Sequence, residues 1–126
     1  MKTSKCLPKI LIVEDEVLVG WSLLTILTKK NFEVTVAETG EKACELIAAN
    51  HYDLVISDVN LPHIDGFEVA RYLKHVSPST PIAIMSTMDD HSTENAPNSV
   101  KIDQFIEKPF DIAEISQIIT DILLPK

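Results

Sequence analysis

Apolar residues in this chain fall into two kinds of short run, which alternate from one end to the other. Five runs are short and rich in Ile, Val and Leu, as strands are. They cover residues 9–13, 32–37, 54–56, 81–85 and 104–107. The stretches between them, which include 17–30 and 111–124, repeat apolar residues three and four positions apart, as helices do. The spacing leaves no room for hairpins and favours parallel strands joined by crossover helices.

Local signals mark some helix ends. Asp65 and Glu68 form a capping box that predicts the start of the third helix, and Pro78 closes that helix. The span 89–103 differs, because Pro97 and two asparagines stand where a fourth crossover helix would lie. We expect a short, frayed or partly disordered fourth helix there.

These elements predict a single α/β domain. The expected fold is a (βα)5 doubly wound, five-stranded parallel sheet of the flavodoxin-like kind, with strand order 2-1-3-4-5 and a short or irregular fourth helix. A length of 126 residues suits one domain with one core. That domain is expected to span residues 9–124 after an N-terminal extension of residues 1–8, with no output domain.

Four of the predicted strands end in a chemically distinctive group. These groups are Glu14-Asp15, Asp58, Ser86-Thr87 and Lys108-Pro109. In the order 2-1-3-4-5 the first and third strands are neighbours, and their carboxyl ends share one crevice. Asp15 and Asp58 are therefore expected to meet, with Ser86 lying between Asp58 and Lys108.

Such a set suits the transfer of a phosphoryl group to a carboxylate. A carboxylate is a poor nucleophile toward phosphorus unless the charge on the phosphoryl oxygens is neutralised by a metal ion, an ammonium group and a hydroxyl. Mg²⁺ prefers oxygen ligands and keeps several waters, so one or two carboxylates suffice. We expect Asp58 to be the acceptor.

Composition narrows the choice of partners. The net charge of −8 argues against nucleic acids and anionic membranes, which bind basic surfaces, so protein partners are expected. Cys6 and Cys44 lie far apart, with no His or Cys at metal-ligand spacing, so neither a disulfide framework nor a zinc site is indicated. Apolar stretches are too short for a membrane span, and residues 1–8 lack the apolar centre of a signal peptide. A soluble, cytoplasmic protein is expected.

In their order and spacing, these residues resemble the receiver domain of bacterial two-component response regulators, the CheY-like superfamily, from Lys9 to about Leu124. The resemblance is carried by the motifs Val13-Glu-Asp-Glu16, Asp58-Val-Asn-Leu-Pro-His-Ile-Asp-Gly66, Met85-Ser-Thr87 and Phe105-Ile-Glu-Lys-Pro-Phe110. It implies a signalling switch, not an enzyme with its own substrate. A sensor histidine kinase or phosphotransfer protein would phosphorylate Asp58, and the switch would then regulate a protein partner or relay the phosphoryl group.

The resemblance also implies a site for Mg²⁺ or Mn²⁺. Asp15 and Asp58 would bind the ion directly, Glu14 would bind it through water, and Asn60 would add its backbone carbonyl. Glu14 stands where the family often has Asp, and this variant is expected to leave the site working.

Further residues would contact the phosphoryl group and report its presence. By resemblance, Lys108 would pair with the group, while the Ser86 hydroxyl and the Thr87 N–H would hydrogen-bond to it. Phe105 matches the family's switch aromatic, which turns inward when Ser86 is pulled toward the phosphoryl group. Residues 99–103 replace the usual Gly-containing loop. In receivers this region belongs to the surface that contacts partners or forms homodimers, so the sequence does not decide whether this chain uses that surface or dimerises through it.

Trp21 and Leu24 fall off the predicted core stripe of the first helix. An exposed aromatic and aliphatic pair can mark a docking surface, and in receivers this helix is where the kinase or phosphotransfer protein docks. The alternative is a core that is wider than the predicted stripe.

Two other functions stay open at this point. An aspartate-nucleophile phosphohydrolase usually needs a second carboxylate two residues after the nucleophile, where Asn60 stands. A receiver-like interaction module that ignores phosphate normally lacks the acceptor, the acidic pair or the lysine, and none of these is missing here. The histidines are scattered and the glycines form no nucleotide-binding loop, so no nucleotide cofactor is expected.

Overall fold

The computed structural model describes residues 7–87, 101–108 and 110–123. The strands are β1 (Lys9–Val13), β2 (Glu33–Ala37), β3 (Leu54–Asp58), β4 (Ile82–Thr87) and β5 (Gln104–Lys108). The helices are α1 (Val17–Lys29), α2 (Gly40–Ala49), α3 (Gly66–Val76) and a C-terminal helix, Ile112–Leu123. The predicted elements are thereby confirmed, with boundaries that shift by one or two residues. The span predicted to hold a weak fourth helix lies largely at 88–100, outside the described residues.

All five strands are parallel and lie in the order β2-β1-β3-β4-β5, as predicted. Sheets of this kind are covered on both faces, so their central strands are apolar throughout. β1 and β3 follow this rule, because four of the five residues of β1 and all five of β3 are buried. This burial fixes which strand ends stand at the centre of the sheet.

The two faces of the sheet carry separate cores. One core packs α2 and α3 through Ala43, Ile47, Val69 and Leu73. The other packs α1 and the C-terminal helix, through buried side chains that include Leu23, Leu27, Ile115 and Ile119. Ile10, Ile12, Leu54, Ile56, Met85 and Ile106 point to this second core. Because strand side chains alternate between faces, the positions that continue these rows at the strand ends also point toward the α1 face.

The helices start where local chemistry predicts. Asp65 accepts a hydrogen bond from Glu68 N at 2.9 Å, and the Glu68 side chain accepts one from Asp65 N at 3.2 Å, which completes the predicted capping box. Thr39 caps α2 by accepting from Lys42 N at 3.0 Å. Among the described helices, none has the length and apolar character needed to cross a membrane.

Candidate functional site

Three carboxylates meet where β1 and β3 end. β1 and β3 pair from Ile10 with Leu54 to Val13 with Ser57, so the residues that follow stand side by side. Glu14, Asp15 and Asp58 each bring a carboxylate oxygen to within 4.8 Å of the other two. Glu14 is fully buried and Asp58 nearly so, whereas Asp15 is exposed. The prediction that Asp15 and Asp58 lie close together is confirmed.

A lysine ammonium joins two of these carboxylates. Thr87 pairs with Lys108, which brings the end of β5 alongside the end of β4. Lys108 Nζ lies 3.1 Å from Asp58 Oδ2 and 3.1 Å from Glu14 Oε1, and donates to both. Lys108 is well shielded from solvent, so these ion pairs lie in a medium of reduced dielectric, where charge-assisted hydrogen bonds are strong. The ammonium therefore holds together the ends of three strands.

The surroundings of Glu14 disfavour its charged form. Burial, and after it the charge of Asp58, raises the pKa of Glu14 from 4.5 to about 7, although Lys108 opposes both effects. Burial alone would lower the pKa of Lys108, but Asp58 and Glu14 outweigh it and raise that pKa. Lys108 thus stays charged at neutral pH, whereas Glu14 titrates there.

The loop after β3 is held close to the acceptor. Asn60 N donates to Asp58 Oδ1 at 3.3 Å, and Gly66 N donates to Val59 O at 3.0 Å. A Cβ at Gly66 would lie 2.4 Å from the Asp58 carbonyl oxygen, a distance that no side chain tolerates. Gly66 therefore allows α3 to begin directly against the end of β3.

Ser86 and Phe105, the residues of the predicted switch, stand on β4 and β5 at positions whose rows face the α2–α3 core. Ser86 does not separate Lys108 from Asp58, because Lys108 Nζ contacts Asp58 Oδ2 directly. Ser86 is buried at the end of β4 and continues the row of Ile82 and Ile84, which belong to the α2–α3 core. Phe105 pairs with Ile84 and so shares that face, with 42% of its surface exposed. Thr87 ends β4, where its backbone pairs with Lys108.

The exposed apolar surface of α1 differs from the pair singled out in the sequence. Trp21 is 62% exposed, but Leu24 is only half-buried. Trp21 instead adjoins Leu18, 79% exposed, and Val17, 67% exposed, three and four residues earlier on the helix. Sequence reasoning missed these two, since their spacing from Trp21 shows that they adjoin it on the helix but not that they are exposed. We call Val17, Leu18 and Trp21 the α1 patch.

Comparison with known proteins gives consistent matches. Residues 10–120 match the family described as response regulator receiver domain. The chain is 35% identical over 107 residues to the response regulator MprA of Mycobacterium sp. (strain KMS), and 36% identical over 107 residues to the response regulator ArlR of Staphylococcus aureus (strain Mu50). Each match covers 85% of this chain, but only 46% of MprA and 48% of ArlR, so the chain spans about half the length of these relatives.

A solved structure agrees with these matches. The response regulator protein TrrA of Thermotoga maritima, in complex with Mg²⁺-BeF, superposes with a TM-score of 0.83 at 26% identity. The superposition covers 93% of this chain and all of TrrA.

Proposed function

Since the chain belongs to the response regulator receiver domain family of two-component systems, we propose that it is a phosphorylation-controlled signalling switch whose phosphoryl acceptor is Asp58. The observation that carries the proposal is the position of Lys108 Nζ, 3.1 Å from Asp58 Oδ2 and from Glu14 Oε1, beside the exposed carboxylate of Asp15. The cation thus contacts the proposed nucleophile and one acidic neighbour, and a second, exposed carboxylate has an oxygen within 4.8 Å of both acids.

The acceptor reaction needs a carboxylate that is held in place. In the proposed transfer from a histidine kinase or phosphotransfer protein, the P–N bond of phosphohistidine breaks as a P–O bond to Asp58 forms. The imidazole leaves and takes up a proton. Lys108 holds Asp58 Oδ2, and Asn60 N donates to Oδ1, so the carboxylate plane is fixed before the donor arrives. Lys108 also supplies positive charge where the phosphoryl oxygens would lie.

The acidic cluster fits a divalent metal ion of the Mg²⁺ or Mn²⁺ type. Its three carboxylate oxygens lie within 4.8 Å of one another, and hard oxygen donors are what such ions take. Glu14, Asp15 and Asp58 would hold the ion together with the Asn60 carbonyl. When bound, it neutralises charge on the phosphoryl oxygens. Asp15 offers the open approach, because Glu14 is fully buried and already accepts from Lys108.

The readout is proposed to run through β4 and β5. Ser86 stands at the carboxyl end of β4, so its hydroxyl would reach the phosphoryl oxygens over the edge of the sheet, where the Thr87 N–H would also bind them. The inward movement of Phe105 would follow Ser86. Phe105 stands two residues before Glu107, the partner of Ser86 in the β4–β5 ladder, so a shift at Ser86 acts directly on the strand that carries the ring. The altered surface would then regulate a protein partner, or Asp58 would relay the phosphoryl group.

The alternatives have less support. Asn60 occupies the position where a phosphohydrolase needs its second carboxylate, and its backbone N–H is already bonded to Asp58 Oδ1. A phosphate-independent module has no need for a buried lysine that bridges two acids, since such a cluster is costly to bury.

The first test is the intact mass of the wild-type protein after incubation with phosphoramidate, with Mg²⁺ or with EDTA. We expect the gain of one phosphoryl group in Mg²⁺ and none in EDTA. An equal gain of mass with Mg²⁺ and with EDTA would contradict the proposal that the metal ion assists phosphoryl transfer. The absence of any gain, in a protein shown by circular dichroism to be folded, would favour the phosphate-independent module.

The α1 patch is proposed as the docking surface for the kinase or phosphotransfer protein. Its first residue, Val17, comes two residues after Asp15, so a partner bound to it would lie near the acidic cluster. Of the pair first considered, Trp21 is the exposed member and Leu24 serves as a matched, less exposed control on the same helix.

Trp21→Ala is expected to slow phosphotransfer from a phosphorylated histidine kinase that modifies the wild type, while leaving phosphoramidate uptake unchanged. An interfacial Trp typically contributes about 2 kcal/mol, which corresponds to roughly a thirtyfold loss of affinity. The measurement is the rate of phosphotransfer from the kinase to Trp21→Ala at a receiver concentration too low to saturate the kinase. Leu24→Ala is measured in the same way as the control. Equal effects on both donors would place Trp21 in the folding or chemistry of the site instead.

A further inference from the structure

Two aspartates form the same contact at the far end of the sheet from the site. Asp53 stands immediately before β3, and Asp103 immediately before β5. Asp53 N donates to Lys9 O at 2.7 Å, and Asp53 Oδ2 accepts from Lys9 N at 2.7 Å. Asp103 N donates to Ile82 O at 3.0 Å, and Asp103 Oδ2 accepts from Ile82 N at 2.9 Å. We call these two arrangements aspartate clips.

Each clip adds one rung to a strand pair. In the β1–β3 ladder Ile10 lies opposite Leu54, and in the β4–β5 ladder Ala83 lies opposite Gln104. The same registers place Lys9 opposite Asp53 and Ile82 opposite Asp103. In each clip the carboxylate oxygen accepts the N–H that a strand carbonyl would otherwise accept, so the pairing closes at a defined residue.

The clips stand at a fixed distance from the site. Asp58 comes five residues after Asp53, and Lys108 comes five residues after Asp103. The partner strands lead to the site as well, β1 to Glu14 and β4 to Ser86. Strand side chains alternate between faces, so a slip of one residue would turn the terminal side chain away from the pocket.

We propose that Asp103 is a positioning residue for Lys108, because its clip sets the register of β5 on β4 and so directs the ammonium to Asp58 and Glu14. This inference rests on the proposed function. β5 lies at the edge of the sheet and takes its register from β4 alone, whereas β3 is paired on both sides. Asp53 therefore has a redundant role, although its local contacts are the same.

A lysine reinforces the clip at β5. Lys74 Nζ, from the last turn of α3, lies 3.1 Å from Asp103 Oδ2 and donates to Thr80 O at 2.7 Å. It ties Asp103 to the segment that leads into β4. The hydrogen bond from Ile82 N does not need this charge, so Asp103→Asn keeps the neutral part of the clip and serves as the conservative variant.

The test compares the rate of phosphoryl uptake from phosphoramidate in Mg²⁺ for Asp103→Ala, Asp103→Asn and Asp53→Ala, at a temperature where circular dichroism shows each to be folded. A misplacement of about 1 Å costs up to about a hundredfold in rate, and we expect about a tenfold loss for Asp103→Ala. We expect Asp103→Asn and Asp53→Ala to stay within about twofold of the wild type. Equal losses in Asp103→Ala and Asp53→Ala would overturn the proposal.

A double-variant cycle separates positioning from general loosening. If Asp103 acts through Lys108, then Asp103→Ala should have no further effect on the rate in a Lys108→Ala background. A full tenfold loss in that background would refute the proposal.

A readout independent of phosphorylation covers the case in which the wild type takes up no phosphoryl group. The NMR signal of the Lys108 ε-methylene should shift in Asp103→Ala and remain in place in Asp53→Ala. An unchanged Lys108 signal in Asp103→Ala would overturn the positioning role, whatever the outcome for the proposed function.

Discussion

Asp58→Asn is expected to abolish magnesium-dependent phosphoryl uptake and to leave the fold intact. The amide lacks the anionic oxygen that attacks phosphorus, so no acyl phosphate can form. The Asn oxygen can still accept from Asn60 N, and the loss of one negative charge relieves repulsion with the buried Glu14 carboxylate. These gains oppose the loss of the shielded ion pair with Lys108, which keeps Glu14 as its partner. We therefore expect the free energy of unfolding to change by only about 1 kcal/mol.

The measurement is intact mass, followed by peptide mapping, after treatment with phosphoramidate and Mg²⁺. Asp53→Asn is a matched control, because it makes the same exchange at the opposite end of the same strand. We expect this control to be phosphorylated like the wild type. Stable modification of the Asp58→Asn protein at another residue would assign the acceptor elsewhere.

Much of the fold can be predicted from the sequence because both faces of a parallel sheet must be covered. This requirement produces the apolar run 54–56 of the central strand and the helical spacing of Val19, Leu23 and Leu27, and the structure confirms both elements. The capping box is equally local, since two side chains three residues apart, Asp65 and Glu68, determine it. The predicted fourth helix stays a prediction, because 88–100 lie outside the described residues.

The meeting of the acidic residues was predictable for a topological reason. Once β1 and β3 are neighbours, Asp15 and Asp58 must stand side by side at the carboxyl ends of their strands. The functional roles given to these residues remain predictions. Their proximity follows from the order of the strands alone.

Three features were not predictable from local patterns. The full burial of Glu14 and its bond to Lys108 depend on how β5 pairs with β4, because Lys108 ends β5 and lies 94 residues after Glu14 in the chain. The exposure of Val17 and Leu18 depends on where α1 lies over the sheet. In the sequence, an apolar residue that is exposed looks the same as one that is buried in the core. In the sequence, the aspartates of the two clips, Asp53 and Asp103, look like ordinary loop residues before strands. Only the strand register reveals their partners.

Lys108→Ala is expected to destabilise the protein strongly at alkaline pH and much less at acid pH. The substitution leaves Glu14 fully buried beside Asp58 without the ammonium that now donates to both. Removing one partner of a buried ion pair typically costs about 3–5 kcal/mol. Glu14 avoids this cost by taking up a proton wherever the pH lies below its pKa.

The direction of the pH dependence follows from proton linkage. The pKa of Glu14 is 4.5 when unperturbed and about 7 in the fold, so the folded state binds the extra proton between these values. Stability from this group is fully present below about pH 4.5 and is lost as the pH rises through about 7. Without Lys108, whose charge and hydrogen bond lower this pKa, the loss extends to higher pH.

Urea unfolding in EDTA at about pH 5 and about pH 8 measures this difference. Lys42→Ala, which removes a solvent-exposed lysine paired with Glu45, is the control, and its difference in stability from the wild type should be the same at both pH values. Adding Glu14→Gln to Lys108→Ala removes the titrating group and should abolish the pH dependence as well. An equal loss of stability at both pH values would show that Glu14 is not the group responsible.

The same variant tests how phosphorylation reaches the switch. Lys108 lies three residues after Phe105 on β5, so an ammonium bound to the phosphoryl group would pull on the strand that carries the ring. Lys108→Ala should therefore still gain a phosphoryl group, more slowly, while the NMR signals of Phe105 shift less than in the wild type. An undiminished Phe105 shift would mean that Ser86 alone, through its place beside Glu107 in the β4–β5 ladder, transmits the change.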